Sequence, residues 1–383
     1  MEDKMTRIYL IRHGEAEGNL YRRAQGHYEA DITAKGHRQI AALAERFKDV
    51  HLDALYSSDL RRTRITAGAI TKYHDLKLNL EPQLREVCLG QWEDVPWGNL
   101  SYDYPEAMTA FNDDPEAWSA PGAESFGDLK KRMVSVILRL AAAHDGETIA
   151  CVSHGMAIRT LLSYILDIPS TNIRSIPHGD NTAVSLIEVE GEEIKAVFYN
   201  DASHLEGELS TFARQSWWRK PGLHDADNVR FCLVDPNKDP DTYLDFYSEA
   251  WQAVHGSLEG FEPEIYLSSA RRHFAEDERS IAVIMRGDEI VGLTELDTRR
   301  GKAEGYGWIC LCCVKQAHRR SLLGVQLLGH AVSVFRRMGY KSIRLSVFPE
   351  NTPAVKFYTE NGFKKIGSSE GCFGALDVME KLI

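Results

Sequence analysis

Through the first 205 residues, short apolar runs alternate with longer stretches whose apolar side chains recur every three or four positions. The runs at 8–11, 52–56 and 148–152 are each followed by polar residues and then a helical pattern, which predicts buried strands of a parallel sheet. Helices are predicted over 35–47, 60–73, 126–143 and 157–166. That alternation predicts a doubly wound α/β domain with a mostly parallel sheet.

From residue 228 the pattern changes. A strand is predicted at 229–234 and helices within 241–255 and 265–275. Strands at 280–285 and 290–296 flank Arg286-Gly287-Asp288-Glu289, a hairpin signature. A strand at 306–314, a helix at 322–338 ended by Gly339, a strand at 343–348, a helix at 353–360 and a strand near 375–379 complete an α+β domain. Residues 206–227 read as a linker, because Pro221-Gly222 and the polar run His224-Asp225-Ala226-Asp227-Asn228 signal turns. Trp217 and Trp218 predict that this segment docks on a neighbour. The expected domains are therefore 1–205 and 228–383.

Composition narrows the partners. The chain has 383 residues, 43% apolar and 26% charged, as in an ordinary globular protein with two full cores. The net charge is -11, with 31 acidic and 22 basic residues in 1–205 and 25 and 23 in 206–383. Acidic excess argues against nucleic acid. A small phosphorylated metabolite can still enter a local basic pocket. Seven scattered cysteines describe no disulfide framework, and no signal peptide or 18-residue apolar run is visible. A cytoplasmic setting without membrane partners is expected.

In open α/β sheets, functional residues gather beyond the carboxyl ends of the strands. Two predicted strands end in the same chemistry, Arg12-His13-Gly14 and Ser153-His154-Gly155. A third ends in Ser57-Ser58-Asp59-Leu60-Arg61-Arg62, with Ser58 or Asp59 placed to cap the following helix. If these strands are neighbours, one crevice receives two imidazoles and at least two guanidiniums. Guanidinium forks match phosphate oxygens and histidine serves as nucleophile, acid or base, so the outline is that of a phosphoryl-transfer site.

These motifs resemble the histidine phosphatase superfamily, which includes the cofactor-dependent phosphoglycerate mutases. The resemblance rests on Arg12 through Asn19, Arg23-Ala24-Gln25-Gly26, Ser58 through Ala67, Leu84-Arg85-Glu86, Pro121 through Ser125 and Val152 through Gly155. It implies that His13 carries a phosphohistidine intermediate. Arg12, Arg62, His154 and Asn19 would clamp the phosphoryl oxygens, with Arg23 and Gly155 also at the phosphate. Glu86 would act as general acid and then general base. Glu86 and His154 stand only 68 positions apart, which favours a hydrolase over the mutase alternative, whose lid insertion is longer. Tyr21, Arg22, Arg23, Trp92, Trp97 and Tyr102 are candidates for the pocket mouth.

In the second domain, the basic turn Val314-Lys315-Gln316-Ala317-His318-Arg319-Arg320-Ser321-Leu322-Leu323-Gly324 opens a long helix and offers an anion site. With Asn351, Phe357-Tyr358 and Asn361-Gly362-Phe363, this resembles the Gcn5-related N-acetyltransferase (GNAT) family. The resemblance implies acetyl-CoA as cofactor, held by backbone near Val314, by residues 319–325 including Arg319, Arg320 and Gly324, and by Asn351. Tyr358 would protonate the departing thiolate. Leu322 stands where the family's cradle has its first glycine. A leucine fits there if its backbone stays in an ordinary region and its side chain turns away. Glu295, Glu304 and His318 are candidate general bases, with none assigned. Cys310, Cys312 and Cys313 contain a C-x-x-C spacing in an apolar strand, which predicts core packing rather than zinc, and no metal is called for.

The sequence thus predicts a bifunctional enzyme, a phosphomonoester hydrolase joined to an N-acetyltransferase acting on a small amine. The alternatives are a GNAT module that only senses acetyl-CoA or mediates interaction, and a phosphoprotein-binding scaffold, against which the complete catalytic set argues.

Overall fold

The computed structural model describes residues 4–212, 228–371 and 373–383. Trp217, Trp218 and the Pro221-Gly222 turn lie outside the described residues. The chain divides into two compact units, Met1–Val95 with Leu100–Ala226, and Pro96–Asn99 with Asp227–Ile383.

The elements up to residue 205 begin with β1 (Thr6–Arg12), α1 (Glu17–Leu20), α2 (Ala34–Phe47), β2 (Ala54–Ser57) and α3 (Arg61–Thr71). Then come β3 (Leu78–Leu80), α4 (Trp97–Asp103), α5 (Pro105–Asp113), α6 (Phe126–Ala143), β4 (Thr148–Ser153) and α7 (Gly155–Ile165). They close with β5 (Val184–Glu190) and β6 (Glu193–Asp201). The sheet order is β3-β2-β4-β1-β5-β6, with β1, β2, β3 and β4 parallel and β5 and β6 antiparallel. The three strands that end in polar chemistry are therefore adjacent. Ile8, Leu10, Ile11 and Val152 are fully buried, as continuous apolar runs in a covered parallel sheet must be. Helix α6 starts where Ser125 Oγ accepts from the Asp128 N–H at 3.0 Å, and it buries Leu129, Met133, Val136, Ile137 and Leu140 along one stripe. Each such side chain contributes about 1.5–3 kcal/mol.

Two local expectations fail. Neither Ser58 nor Asp59 caps α3, because Leu60 is its N-cap and makes no side-chain cap bond. Asp59 instead pairs with Arg85 through both carboxylate oxygens, and the Ser58 hydroxyl faces His154. The apolar pattern predicts no strands at the antiparallel hairpin β5–β6. Residues 209–211, placed in the linker by the sequence, are tied to the first unit. Gln39 Nε2 donates to the Leu209 carbonyl at 2.7 Å, and the Thr211 N–H donates to Asp180 Oδ1 at 2.8 Å.

The later elements are β7 (Arg230–Leu233), α8 (Pro240–His255), α9 (Pro263–Glu276), β8 (Ile281–Arg286), β9 (Glu289–Gly301) and β10 (Tyr306–Val314). α10 (Leu323–Arg337), β11 (Ser342–Val347), α11 (Thr352–Glu360), β12 (Lys364–Gly371) and β13 (Gly374–Leu382) follow. The sheet order is β12-β13-β11-β10-β9-β8-β7. On one face Tyr243 and Phe246 of α8 and Leu267 of α9 pack with Leu293 and Cys313. Leu323 and Leu327 of α10 pack with Phe231 and Ile284 in a second cluster. β10 and β11 are parallel, and their pairing is confined to Tyr306–Trp308 against Ser342–Arg344. Beyond Trp308 the two strands part, and a wedge opens in the middle of the sheet.

Candidate functional site

Parallel pairing of β1 with β4 matches Arg12 to Ser153, so His13 and His154 leave the sheet side by side. Their ring centroids are 5.3 Å apart. His13 Nδ1 lies 2.7 Å from the Gly14 carbonyl, so the Nδ1–H donates there and the neutral ring keeps its lone pair on Nε2. Burial, then the Arg62 and Arg12 charges, hold its pKa well below the usual histidine value, which keeps the ring neutral. The Asn181 side chain and the Thr182 N–H both donate to the His13 carbonyl, at 3.0 and 3.3 Å. Thr182 does so in the left-handed region at φ 62°, an uncommon conformation for a β-branched residue.

Arg62 is fully buried on the first turn of α3. Its Nε donates to His154 Nδ1 at 3.2 Å, and Nη2 and Nη1 donate to the Gly26 and Tyr28 carbonyls at 2.6 and 3.3 Å. With Nδ1 accepting, His154 carries its proton on Nε2 and donates to Ser58 Oγ at 2.9 Å. His154 is also held well below its ordinary pKa, by burial and then by Arg62. The loop that grips Arg62 is itself organised by Glu93, whose carboxylate accepts from the N–H groups of Gly26, His27, Tyr28 and Leu89. Glu93 carries no sequence signal of this contact, and Ser58 is legible in the sequence only as a helix cap and a motif residue.

Arg12 is half-buried, and its Nη1 donates to the Gly179 carbonyl at 2.6 Å while its buried Nε has no hydrogen-bond acceptor among the described residues. A buried guanidinium nitrogen without an acceptor is costly unless a ligand supplies one. Gly155 makes room for it, since a Cβ there would stand 3.2 Å from that Nε.

Glu86 is buried and accepts three backbone N–H bonds. Oε1 takes those of Val87 and Ala157 at 3.0 and 2.8 Å, and Oε2 takes that of Met156 at 2.9 Å. Two of these donors belong to the first turn of α7, a favourable seat for a carboxylate.

Other predicted residues lie further from this geometry. Asn19 Oδ1 accepts from the Ala16 N–H at 3.1 Å and from Asn181 Nδ2 at 3.4 Å. Arg23 is committed to Asp94, with Nε donating to Oδ1 at 2.6 Å and Nη2 to the carbonyl. Trp92 is 4% exposed and packs at tilted and edge-on angles against Tyr104, Phe111 and Trp118, so it is a core residue rather than part of a pocket mouth. Tyr21 is likewise buried, whereas Tyr102 is exposed.

In the second unit, Val314 ends the strand that lines the wedge, and its carbonyl accepts from Arg319 Nε at 3.0 Å. Arg319 Nη2 also reaches Glu249 at 3.2 Å. α10 begins beyond this turn with no side-chain cap bond at its N-terminus, which leaves its first N–H groups for an anion. Leu322 departs from expectation. Its side chain is exposed, but its backbone sits in the left-handed region at φ 60°, ψ 8°, and Arg320 has φ 63°. Gly324 permits the close approach of Phe357, whose ring would stand 3.2 Å from a Cβ. Asn351 caps α11, with Oδ1 accepting from the Ala354 N–H at 3.3 Å. Tyr358 is buried beside the Cys312 thiol. Burial and then the Cys312 and Cys313 sulfurs raise its pKa well above that of free tyrosine, so it stays protonated. Among the candidate bases, Glu295 is buried and bonded to His273 and Tyr243, and His318 pairs with Glu289. Glu304 is exposed in the turn before β10.

A mostly parallel sheet with paired histidines and arginines at its strand ends defines the class of the first unit, and comparison with known proteins gives the family. The profile of the Histidine phosphatase superfamily (branch 1) matches residues 8–202, and the chain belongs to that superfamily. The Acetyltransferase (GNAT) family profile matches residues 241–363, so a GNAT domain follows. A metal-independent phosphoserine phosphatase of Arabidopsis thaliana is 32% identical over 208 residues, 54% of this chain and 85% of that protein. A probable phosphoglycerate mutase GpmB of Erwinia tasmaniensis is 31% identical over 207 residues, 53% of this chain and 96% of that protein. The structure of Bacillus stearothermophilus YhfR aligns with TM-score 0.50 and 31% identity, over 52% of this chain and 98% of its own.

Proposed function

We propose that the first unit is a phosphomonoester hydrolase acting through a phosphohistidine. The His13 Nε2 lone pair attacks phosphorus while the ester P–O bond breaks, and Glu86 passes its proton to the leaving oxygen. Water then attacks phosphorus, gives its proton to Glu86, and the N–P bond breaks to release orthophosphate. Oε2 of Glu86, with a single N–H partner, is the oxygen with room to carry that proton. Arg12, Arg62 and His154 stabilise the charge on the transferring group. The observation that carries this reading is the His13 tautomer, neutral and with its lone pair on Nε2.

The second unit is proposed as an N-acetyltransferase for a small amine. The wedge beyond Trp308, the uncapped start of α10 and the protonated Tyr358 fit acetyl-CoA, which when bound supplies an acetyl thioester. Tyr358 holds the proton needed by a departing thiolate, and Val314 and the turn at 319–324 position the cofactor's arm and phosphates. The left-handed Leu322 favours a second reading, a module that binds acetyl-CoA without transferring its acetyl group.

A panel of phosphate esters and amines, including phosphoserine and 3-phosphoglycerate, tests both activities. His13→Ala is expected to abolish only phosphate release and Tyr358→Phe to weaken only acetyl transfer. Acetyl-CoA binding without transfer to any amine would establish the second reading.

A further inference from the structure

We propose that His273, Asp297 and Cys310 form a binding site for a zinc-class divalent cation within the second unit. One ligand atom from each of these side chains lies within 4.8 Å of the others, the one such group among the described residues. An imidazole nitrogen, a carboxylate oxygen and a thiol sulfur match the preferences of a borderline-soft cation and leave its fourth position open.

The backbone brings these groups together. Asp297 and Cys310 belong to neighbouring strands β9 and β10, and His273 comes from α9 above them. Ile309 pairs with Leu296 and Leu311 with Glu295, so Cys310 is the unpaired residue of a β-bulge. Bulges re-aim side chains, and this one lies just beyond Trp308, where β10 leaves β11. The C-x-x-C spacing is not what makes the site. Cys313 packs with the cluster under α8 and α9, and Cys312 lies beside Tyr358.

The imidazole is oriented as a metal-binding histidine is. His273 Nδ1 is 2.8 Å from Glu295 Oε1, and Glu295 Oε2 accepts from the Tyr243 hydroxyl at 2.9 Å. That arrangement places the Nδ1 proton toward the carboxylate and turns Nε2 to Asp297, 3.3 Å away. Arg272 Nη2 stands 3.4 Å from the same Nε2 and would give way to the cation. Burial, then Glu295 and Asp297, push the Cys310 thiol well above its ordinary pKa. A dication reverses that balance, since it neutralises the thiolate and the carboxylates together as the thiol proton leaves to solvent.

Cobalt(II) titration of the metal-stripped full-length chain tests the assignment. One equivalent is expected to produce a thiolate-to-cobalt charge-transfer band that zinc bleaches. Cys310→Ser should remove the band, His273→Gln should weaken binding at least about 100-fold, and Glu295→Gln about 10–100-fold. Circular dichroism establishes that each variant folds. Absence of the band in the unaltered chain, or its persistence in Cys310→Ser, overturns the proposal. The absorbance readout is independent of acetyl transfer.

Discussion

Arg62 Nε donates to His154 Nδ1 at 3.2 Å, and this one bond sets which nitrogen of His154 bears the proton. Lysine cannot hold the fork that reaches His154, Gly26 and Tyr28 at once. Arg62→Lys is expected to lower kcat/KM for phosphate esters about 100–1,000-fold, the usual loss for one charge-stabilising donor. Steady-state kinetics on any good ester checks it, and a loss below tenfold would refute the role.

Gly155 separates catalysis from stability. A methyl group there would stand 3.2 Å from Arg12 Nε and displace the guanidinium by a few tenths of an ångström. Alanine is also the better helix former at the first position of α7. Gly155→Ala should therefore leave the melting temperature unchanged or higher while kcat/KM falls about 10–100-fold. Parallel melting and kinetic measurements distinguish this from general damage.

The first unit should lose stability in mild acid. His13, His154 and His178 are held well below 6.5 by burial and nearby guanidiniums, and His204 is lowered to about 4 by burial and Arg46. Their folded pKa values are depressed, so below the unfolded value near 6.5 the unfolded chain binds protons that the folded chain refuses. Stability should fall as pH drops from 6.5 toward 4, by up to about 1.4 kcal/mol per pH unit for each fully buried histidine. Urea unfolding followed at several pH values measures the slope. A flat profile across that window would contradict neutral burial.

Leu322 pays a left-handed penalty of roughly 1–2 kcal/mol, partly offset by the lower entropy of its unfolded state compared with glycine. Leu322→Gly is expected to hold or raise stability by up to about 1 kcal/mol. It should also tighten acetyl-CoA binding severalfold by letting the backbone approach. Leu322→Val, β-branched, should lose at least about 1 kcal/mol. Calorimetry reads both quantities.

The strands with continuous apolar runs and the helices with a regular stripe were legible. Helix α6 follows its expected bounds because Ser125, Phe126 and the spacing of Leu129, Met133 and Val136 all agree. β3 was not legible, because three half-exposed or exposed residues carry little pattern. Edge strand β6 mixes Glu193 and Lys195 with apolar residues, and β12 is exposed and rich in glycine and serine. His13, Arg62 and His154 are singled out because their motifs sit at element ends, and Glu86 because Leu84-Arg85-Glu86 resembles the family's acid motif. Ser58 is legible only as a helix cap, and Glu93 and Asn181 not at all, since their contacts come from neighbours 96, 67 and 168 positions away in the chain.

Glu86 is bonded to the first turn of α7, and His154 is the residue on which that helix starts. The proposed proton carrier and the proposed phosphate clamp therefore share a single datum, the amino end of one helix. Glu93, in the chain between Glu86 and α6, holds the loop that grips Arg62, so that stretch is tied into the same frame. A shift of that helix end would therefore move both groups together.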